Sequence, residues 1–169
     1  VLFGTGPFAS RDVSYQLSVA GRTNGHLATV IADHPLMEDF PHDGYCAAQF
    51  SSLMRGCRSA VLDLRDLPHE PIIDIASSYK NAHREALLFE YRVGGSSDCG
   101  RLLCCTLRMN EEDPAAMWLR DRILTYAMDD AFAPAQTLSI AQFAALCTAA
   151  PIAEGTNSNL AINKNDITM

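Results

Sequence analysis

The chain has 169 residues, which fits one domain, and it carries 20 acidic against 13 basic residues for a net charge of −7. No basic cluster accompanies this acidic balance, so nucleic acids and anionic membrane surfaces are poor candidate partners. No run approaches the roughly 20 apolar residues of a membrane span. We therefore expect neither a nucleic-acid nor a membrane partner.

The first half of the chain predicts short strands separated by turns. Alternation or runs of apolar residues favour strands over residues 1–5, 13–19, 26–31, 59–64 and 71–77, and a helix over 45–54. The chain opens directly inside the first strand with no charged n-region before it. We therefore expect a piece of a longer polypeptide, with targeting signals and the main active site upstream.

The central stretch predicts a hairpin of two long strands, residues 86–93 and 101–107. The first strand alternates, with Phe89 and Tyr91 on one face and Leu88 and Glu90 on the other. The second strand is almost wholly apolar, as expected of a strand that is covered on both faces. Neighbouring cysteines Cys104 and Cys105 therefore point to opposite faces and cannot serve one metal.

Two capped helices are predicted after the hairpin. Asp113 precedes Pro114, which is the preferred N-cap followed by the preferred first helical residue, and an apolar stripe follows at helical spacing. Ser139 is positioned to cap a second helix over residues 140–149. Residues 129–137 read as a linker and 153–169 as an extended polar tail. Strands mixed with helices predict an α/β fold whose sheet has an antiparallel part.

The six cysteines match no zinc-binding pattern, because no C-x2-C pair or Cys/His pair at ligand spacing is present. We predict no metal and no other cofactor. Unpaired cysteines that behave as small buried hydrophobes are typical of a cytoplasmic protein, which is the localisation we expect.

Several polar residues are candidates for a binding site. Two histidines, His34 and His42, each adjoin an aspartate in one loop and suit a metal or acid–base site if a tight turn brings them together. The alternative is a structural role. Trp118, the single tryptophan, is predicted to be an anchor in the core or at an interface.

A second candidate is the His83-Arg84-Glu85 segment. Its His-x-Glu pair resembles the second half of the Cys-His-Glu triad of class I glutamine amidotransferases. Such a triad needs a thiolate on a sharp strand-to-helix turn, and no cysteine here lies in a G-x-C-x-G elbow. We therefore predict no catalytic residue in this chain.

Longer stretches resemble a known family. The hairpin reads A-L-L-F-E-Y-R-V-G, then G-R-L-L-C-C-T-L, then D-P-A-A-M-W-L, and earlier runs read G-T-G-P-F, A-G-R-T-N-G-H-L-A-T-V-I-A-D-H-P, D-F-P-H-D-G and I-A-S-S-Y-K-N-A-H-R. Together, over residues 1–127, they are similar to the C-terminal region of bacterial glycoside hydrolases of family 2, the β-galactosidase/β-glucuronidase type. Residues 96–99 lengthen the hairpin turn relative to that pattern.

The resemblance implies a three-layer, flavodoxin-like (amidotransferase-like) sheet with a β-hairpin and flanking helices. It implies an accessory domain over residues 1–133, with the C-terminal helix and tail of 134–169 packed on it. The catalytic glutamates of that family lie upstream, so the implied role is domain packing or oligomerisation in carbohydrate metabolism. Expected partners are the upstream catalytic domains, a second copy of the chain, or a carbohydrate.

Two alternatives remain open from the sequence. One is an amidotransferase-like enzyme built around His83, Glu85 and a cysteine. The other is a sugar-binding module that uses Tyr15, Tyr45 or Tyr79.

Overall fold

The computed structural model of the protein describes residues 1–14, 25–78, 83–95 and 99–148. Several features predicted from the sequence lie outside these residues. They are the alternation beyond residue 14, Tyr15 and Tyr79, the hairpin insert at 96–98, and the tail of 153–169.

The described residues form strands and helices in an irregular order. The strands are β1 (Leu2–Phe3), β2 (Ser10–Asp12), β3 (His26–Ile31), β4 (Arg58–Val61), β5 (Ile73–Ser77), β6 (Glu85–Gly94), β7 (Cys99–Cys105) and β8 (Thr137–Leu138). The helices are α1 (Ser51–Met54), which continues a 3-10 turn over Ala48–Phe50, α2 (Pro114–Met128) and α3 (Ile140–Thr148).

The long strand β6 organises the sheet because it has two partners in series along each edge. Ala86 lies between Ala60 of β4 and Asp74 of β5, so these two strands flank the start of β6 on opposite edges. Farther along, Arg92 lies between Arg101 of β7 and Thr137 of β8. Leu88 pairs with both β5 and β7, which puts β7 on the same edge as β4 and β8 on the same edge as β5.

The remaining strands extend this arrangement outward. Strand β2 pairs with β4, β3 pairs with β5, and β1 pairs with β7. Two of the pairings, β1 with β7 and β6 with β8, are parallel, and the others are antiparallel. The predicted mixed α/β class and its antiparallel hairpin are therefore confirmed.

Apolar side chains form two clusters, which lie on the two faces of β7. Leu88 and Cys105 belong to the cluster that also takes in α1 and the stripe of α2, whereas Phe89 and Cys104 belong to the cluster that includes Leu146 of α3. The expectation that Cys104 and Cys105 point to opposite faces is confirmed.

Both predicted helix caps are present. The Asp113 carboxylate accepts a hydrogen bond from the Ala115 N–H at 3.0 Å. The Ser139 hydroxyl accepts one from the Gln142 N–H at 3.1 Å, and the Gln142 side chain accepts one from the Ser139 N–H at 2.9 Å. This reciprocal arrangement satisfies two donors at the start of α3.

Several predicted boundaries are wrong: the strand expected over 59–64, for example, ends at Val61. The helix expected over 45–54 begins only after Ala47, because Ala47 is extended and the Cys46 N–H is held by the Thr29 hydroxyl of β3. The stretch 129–137 is not only a linker: Thr137 joins the sheet through β8, and the neighbouring Leu138 is fully buried. Local composition does not reveal a pairing with residues more than 40 positions away.

Among the residues described, no helix has the length and apolar character needed to cross a bilayer.

Truncation of a core residue on the central strand tests this arrangement. Leu88 is fully buried, whereas Leu27 is 61% exposed. We expect Leu88→Ala to lower the free energy of unfolding by about 2–5 kcal/mol through lost burial and a residual cavity. Leu27→Ala is the matched control and should change it by less than about 0.5 kcal/mol in the same urea titration. Equal losses in the two variants would contradict the assignment of the core.

Candidate functional site

The most connected polar group in the described structure is a buried carboxylate, that of Glu85. It is fully buried, and each of its oxygens accepts from two side chains. Oε1 accepts from Arg11 Nη1 at 2.7 Å and from the Ser77 hydroxyl at 2.5 Å. Oε2 accepts from His26 Nε2 at 2.8 Å and from the Ser59 hydroxyl. We call these five residues the Glu85 cluster.

Each member of the Glu85 cluster comes from a different strand. Arg11 lies on β2 directly opposite Ser59 of β4, and His26 lies on β3 directly opposite Ser77 of β5. Glu85 opens β6, which pairs with both β4 and β5 at this end. Two cross-strand pairs therefore bracket one carboxylate, and five strands converge on it.

The tautomer of His26 follows from its second hydrogen bond. Its Nδ1 accepts from the Ser14 N–H at 3.1 Å, so the proton of the neutral ring is on Nε2 and is donated to Glu85. The ring is almost completely buried. Its role in the described structure is to join the end of β2 to Glu85.

Burial alone would raise the pKa of Glu85, but the hydrogen bonds from His26, Ser59 and Ser77 outweigh it and lower the pKa to about 2. Glu85 is therefore an anion at neutral pH. Because both oxygens are saturated and closed to solvent, this carboxylate is placed to hold strands together and not to exchange protons with a substrate.

A second cluster brings a predicted residue, His34, together with Glu90 and Tyr126. His34 Nε2 lies 3.6 Å from Glu90 Oε1, and the Tyr126 hydroxyl donates to Glu90 Oε2 at 3.1 Å. The His34 and Tyr126 rings meet edge to face at 5.3 Å. Burial and the Glu90 charge raise the pKa of Tyr126. This His34 cluster links the loop after β3 to β6 and α2.

The other predicted histidines have separate partners. His42 Nδ1 accepts from the Gly44 N–H at 3.1 Å, so it stabilises a turn and does not join His34. His83 Nδ1 is hydrogen-bonded to Asp63, whereas Glu85 two residues later belongs to the buried cluster. The structure therefore does not bring His83 and Glu85 together as a pair.

Trp118 lies on the outer side of α2 and is 41% exposed, with its ring centroid 5.2 Å from that of Phe40. Tyr45 is also exposed. A binding role for Trp118 and for the four polar residues above stays a prediction.

Cys46, Cys57 and Cys104 do not have the environment of an activated nucleophile. All six are free, and burial raises the pKa of Cys46 and Cys57 to about 11 and that of Cys104 to about 12. A thiolate nucleophile needs the opposite shift. Within the described ranges, no group of three or more histidine, cysteine, aspartate or glutamate residues is placed to hold a metal ion.

Residues 14–148 match a family described as a domain of unknown function, DUF8487. The chain belongs to this family. No curated protein matches the chain significantly. The DUF8487 match includes the His34 cluster and every member of the Glu85 cluster except Arg11.

The Glu85 cluster of this DUF8487 domain was missed from the sequence, apart from Glu85 itself. His26, Ser59 and Ser77 each lie at or near the end of a predicted strand, where a polar residue looks like the start of a turn. The available signal was that each occupies an inward-facing position of its strand. Only the pairing of the strands shows that these positions converge.

Loss of the buried charge should destabilise the whole sheet. In Glu85→Gln the amide NH2 would face donor groups, and Arg11 would lose its counter-charge in a largely buried site. We expect the free energy of unfolding to fall by about 3–5 kcal/mol, as for other broken buried ion pairs. Glu112→Gln, which alters an exposed carboxylate, is the control and should leave the urea midpoint unchanged.

The low pKa of Glu85 also makes the stability of the folded protein depend on pH. Its folded pKa of about 2 lies below the ordinary value of 4.5, so its contribution to stability is complete above pH 4.5 and is lost as the pH falls toward 2. Thermal unfolding from pH 7 to pH 2 should therefore show a steeper acid decline in the wild type than in Glu85→Gln. Parallel curves would contradict the lowered pKa.

Proposed function

We propose that this chain is a non-catalytic accessory domain of a multidomain bacterial glycoside hydrolase of the β-galactosidase/β-glucuronidase type, and that it serves domain packing or oligomerisation. The resemblance of residues 1–127 to the C-terminal region of such enzymes supports the proposal. The observation that carries it is the Glu85 cluster, in which the most deeply buried carboxylate is fully used by structural donors.

General acid–base catalysis needs a proton-transfer group within reach of a bound substrate. Glu85 is closed to solvent, and the thiols of Cys46, Cys57 and Cys104 have raised pKa values. These features favour a structural role over the amidotransferase-like alternative.

The outer face of β3 supports a packing role. Leu27 is 61% exposed and Val30 is 54% exposed, and both point away from the core. In register with this strand, Ala76 of β5 continues the apolar surface beside Ala28. Two large exposed aliphatic side chains on one edge strand suit a face that is covered by another domain or by a second copy.

The finer fold assignment, a three-layer flavodoxin-like sheet, belongs to the same proposal. Its support is that α2 and α3 pack against different apolar clusters, one from each face of the sheet. The two parallel pairings also suit it, while the five antiparallel ones depart from a fully parallel flavodoxin-like sheet. A cytoplasmic location is likewise part of the proposal, and the six free thiols support a reducing compartment.

An assay of the chain on chromogenic β-galactosides and β-glucuronides tests the non-catalytic role. We expect no hydrolysis above the rate in buffer, because the described residues present no pair of carboxylates assembled around a substrate. Hydrolysis that disappears in Glu90→Gln and persists in Glu38→Gln, at an exposed carboxylate outside the clusters and cavities described, would overturn the proposal, since it would assign the rate to the chain and not to a contaminant.

The assembly role is tested by light scattering over a concentration series. We expect the mass to rise with concentration, because Leu27 and Val30 on the outer face of β3 are exposed among the residues that the structure describes. Val30→Lys should suppress this association, whereas Met128→Lys, at a residue that is 81% exposed elsewhere, should not. A monomer at every concentration would remove oligomerisation from the proposal.

A further inference from the structure

A surface groove runs past the start of α2. It consists of two cavities of about 420 and 370 Å³ that meet at Arg108. The larger cavity is lined by Ser52, Arg55, Arg108, Asn110, Glu112, Asp113 and Pro114. Segments that follow α1 and β7 thus come together there.

Two guanidinium groups in the larger cavity have no carboxylate partner among the described residues. Arg108 Nη1 donates to the Arg55 backbone carbonyl at 3.3 Å, which holds the Arg108 side chain beside Arg55. Both residues are exposed, and neither forms an ion pair in the described part of the chain. In a protein with a net charge of −7, these are two exposed positive charges that line one cavity.

The turn after α1 leaves space for the Arg108 side chain beside Gly56. Gly56 has a φ of +67°, and a Cβ at this position would lie 3.5 Å from Arg108 Nη1. A left-handed glycine therefore allows the chain to turn at the end of α1 while the Arg108 guanidinium crosses beside it.

The two acidic residues of the cavity, Asp113 and Glu112, differ in whether their carboxylates already accept hydrogen bonds from the chain. The Asp113 carboxylate is held by the Ser52 side chain and by backbone N–H groups at the start of α2, which together lower its pKa. The Asp113 carboxylate therefore stabilises the N-terminus of α2. The side chain of Glu112 has no hydrogen-bond or ion-pair partner among the described residues. Asn110 Oδ1 accepts from the Glu112 N–H at 3.1 Å, which leaves the amide NH2 of Asn110 as a donor.

We propose that this groove binds a small organic anion that also carries hydroxyl groups, a sugar acid or a sugar phosphate. Arg55 and Arg108 would take the anionic group, because guanidinium donors match the oxygens of a carboxylate or a phosphate. The Glu112 carboxylate would accept from ligand hydroxyls, and it disfavours a bare anion that has no hydroxyl to offer. The proposal goes beyond the accessory role, since domain packing requires no ligand.

Titration calorimetry on the full chain tests the site with four probes: glucuronate, glucose 6-phosphate, glucose and inorganic phosphate. We expect glucuronate or glucose 6-phosphate to bind at least about tenfold more tightly than glucose and phosphate. Tighter binding of glucuronate would identify a carboxylate as the preferred anionic group, and tighter binding of glucose 6-phosphate would identify a phosphate. Affinity should fall as salt rises from about 50 to 200 mM, because the charges are at the surface.

Arg55→Gln is the decisive variant, because the Arg55 side chain is exposed and makes no hydrogen bond or ion pair within the described part of the chain. It should weaken binding by about tenfold or more, whereas Arg65→Gln, at an exposed arginine outside the groove, should leave binding unchanged. Absence of binding by both anionic sugars, equal affinity for inorganic phosphate, or an Arg55→Gln variant that binds as the wild type does would each overturn the proposal. None of these results bears on the glycosidase assay above.

Discussion

The structure depends on the solvation of one buried charge. A carboxylate that is removed from water is costly unless hydrogen bonds and an opposite charge replace the water. Glu85 obtains this replacement from Arg11, His26, Ser59 and Ser77, which lie on four other strands. The chain can bury Glu85 only if all these strands reach the same point. The hydrogen bonds to Glu85 therefore determine which strand ends meet. Burial of the apolar clusters is non-directional and does not determine this.

The same principle separates structural polar groups from groups that are available for binding. Glu85 and the cap Asp113 have their acceptors filled by donors from the chain, and Glu90 is held by Tyr126 beside His34. The guanidinium groups of Arg55 and Arg108 keep donors free at a cavity. In this member of the DUF8487 family, the groove is therefore the surface that is best suited to bind a ligand. The Glu85 cluster instead stabilises the fold.

Local signals predicted from the sequence were reliable where the interaction is local. The Asp113–Pro114 start of α2 and the Ser139 cap of α3 depend on residues within a few positions of each other. Strand β8 and the partners of Glu85 depend on strand pairings between residues that are far apart in the sequence. The local sequence pattern around each residue does not identify its partner. His34 was a candidate from its neighbour Asp33, yet the carboxylate near its ring is that of Glu90. His34 Nδ1 accepts locally from the Leu36 N–H, and only the packing of α2 on β6 brings Glu90 and Tyr126 near.

Native-state hydrogen exchange on Glu85→Gln, compared with the wild type, tests most directly whether one carboxylate holds five strands. The account predicts that amides of β2, β3, β4 and β5 lose protection together. Amides of β6 from residue 90 onward and of β7 up to residue 103, at the far end of the hairpin, should keep more of theirs because their pairing does not involve the Glu85 cluster. Loss of protection confined to the neighbours of Glu85 in β6, with β2 and β3 unchanged, would contradict the account.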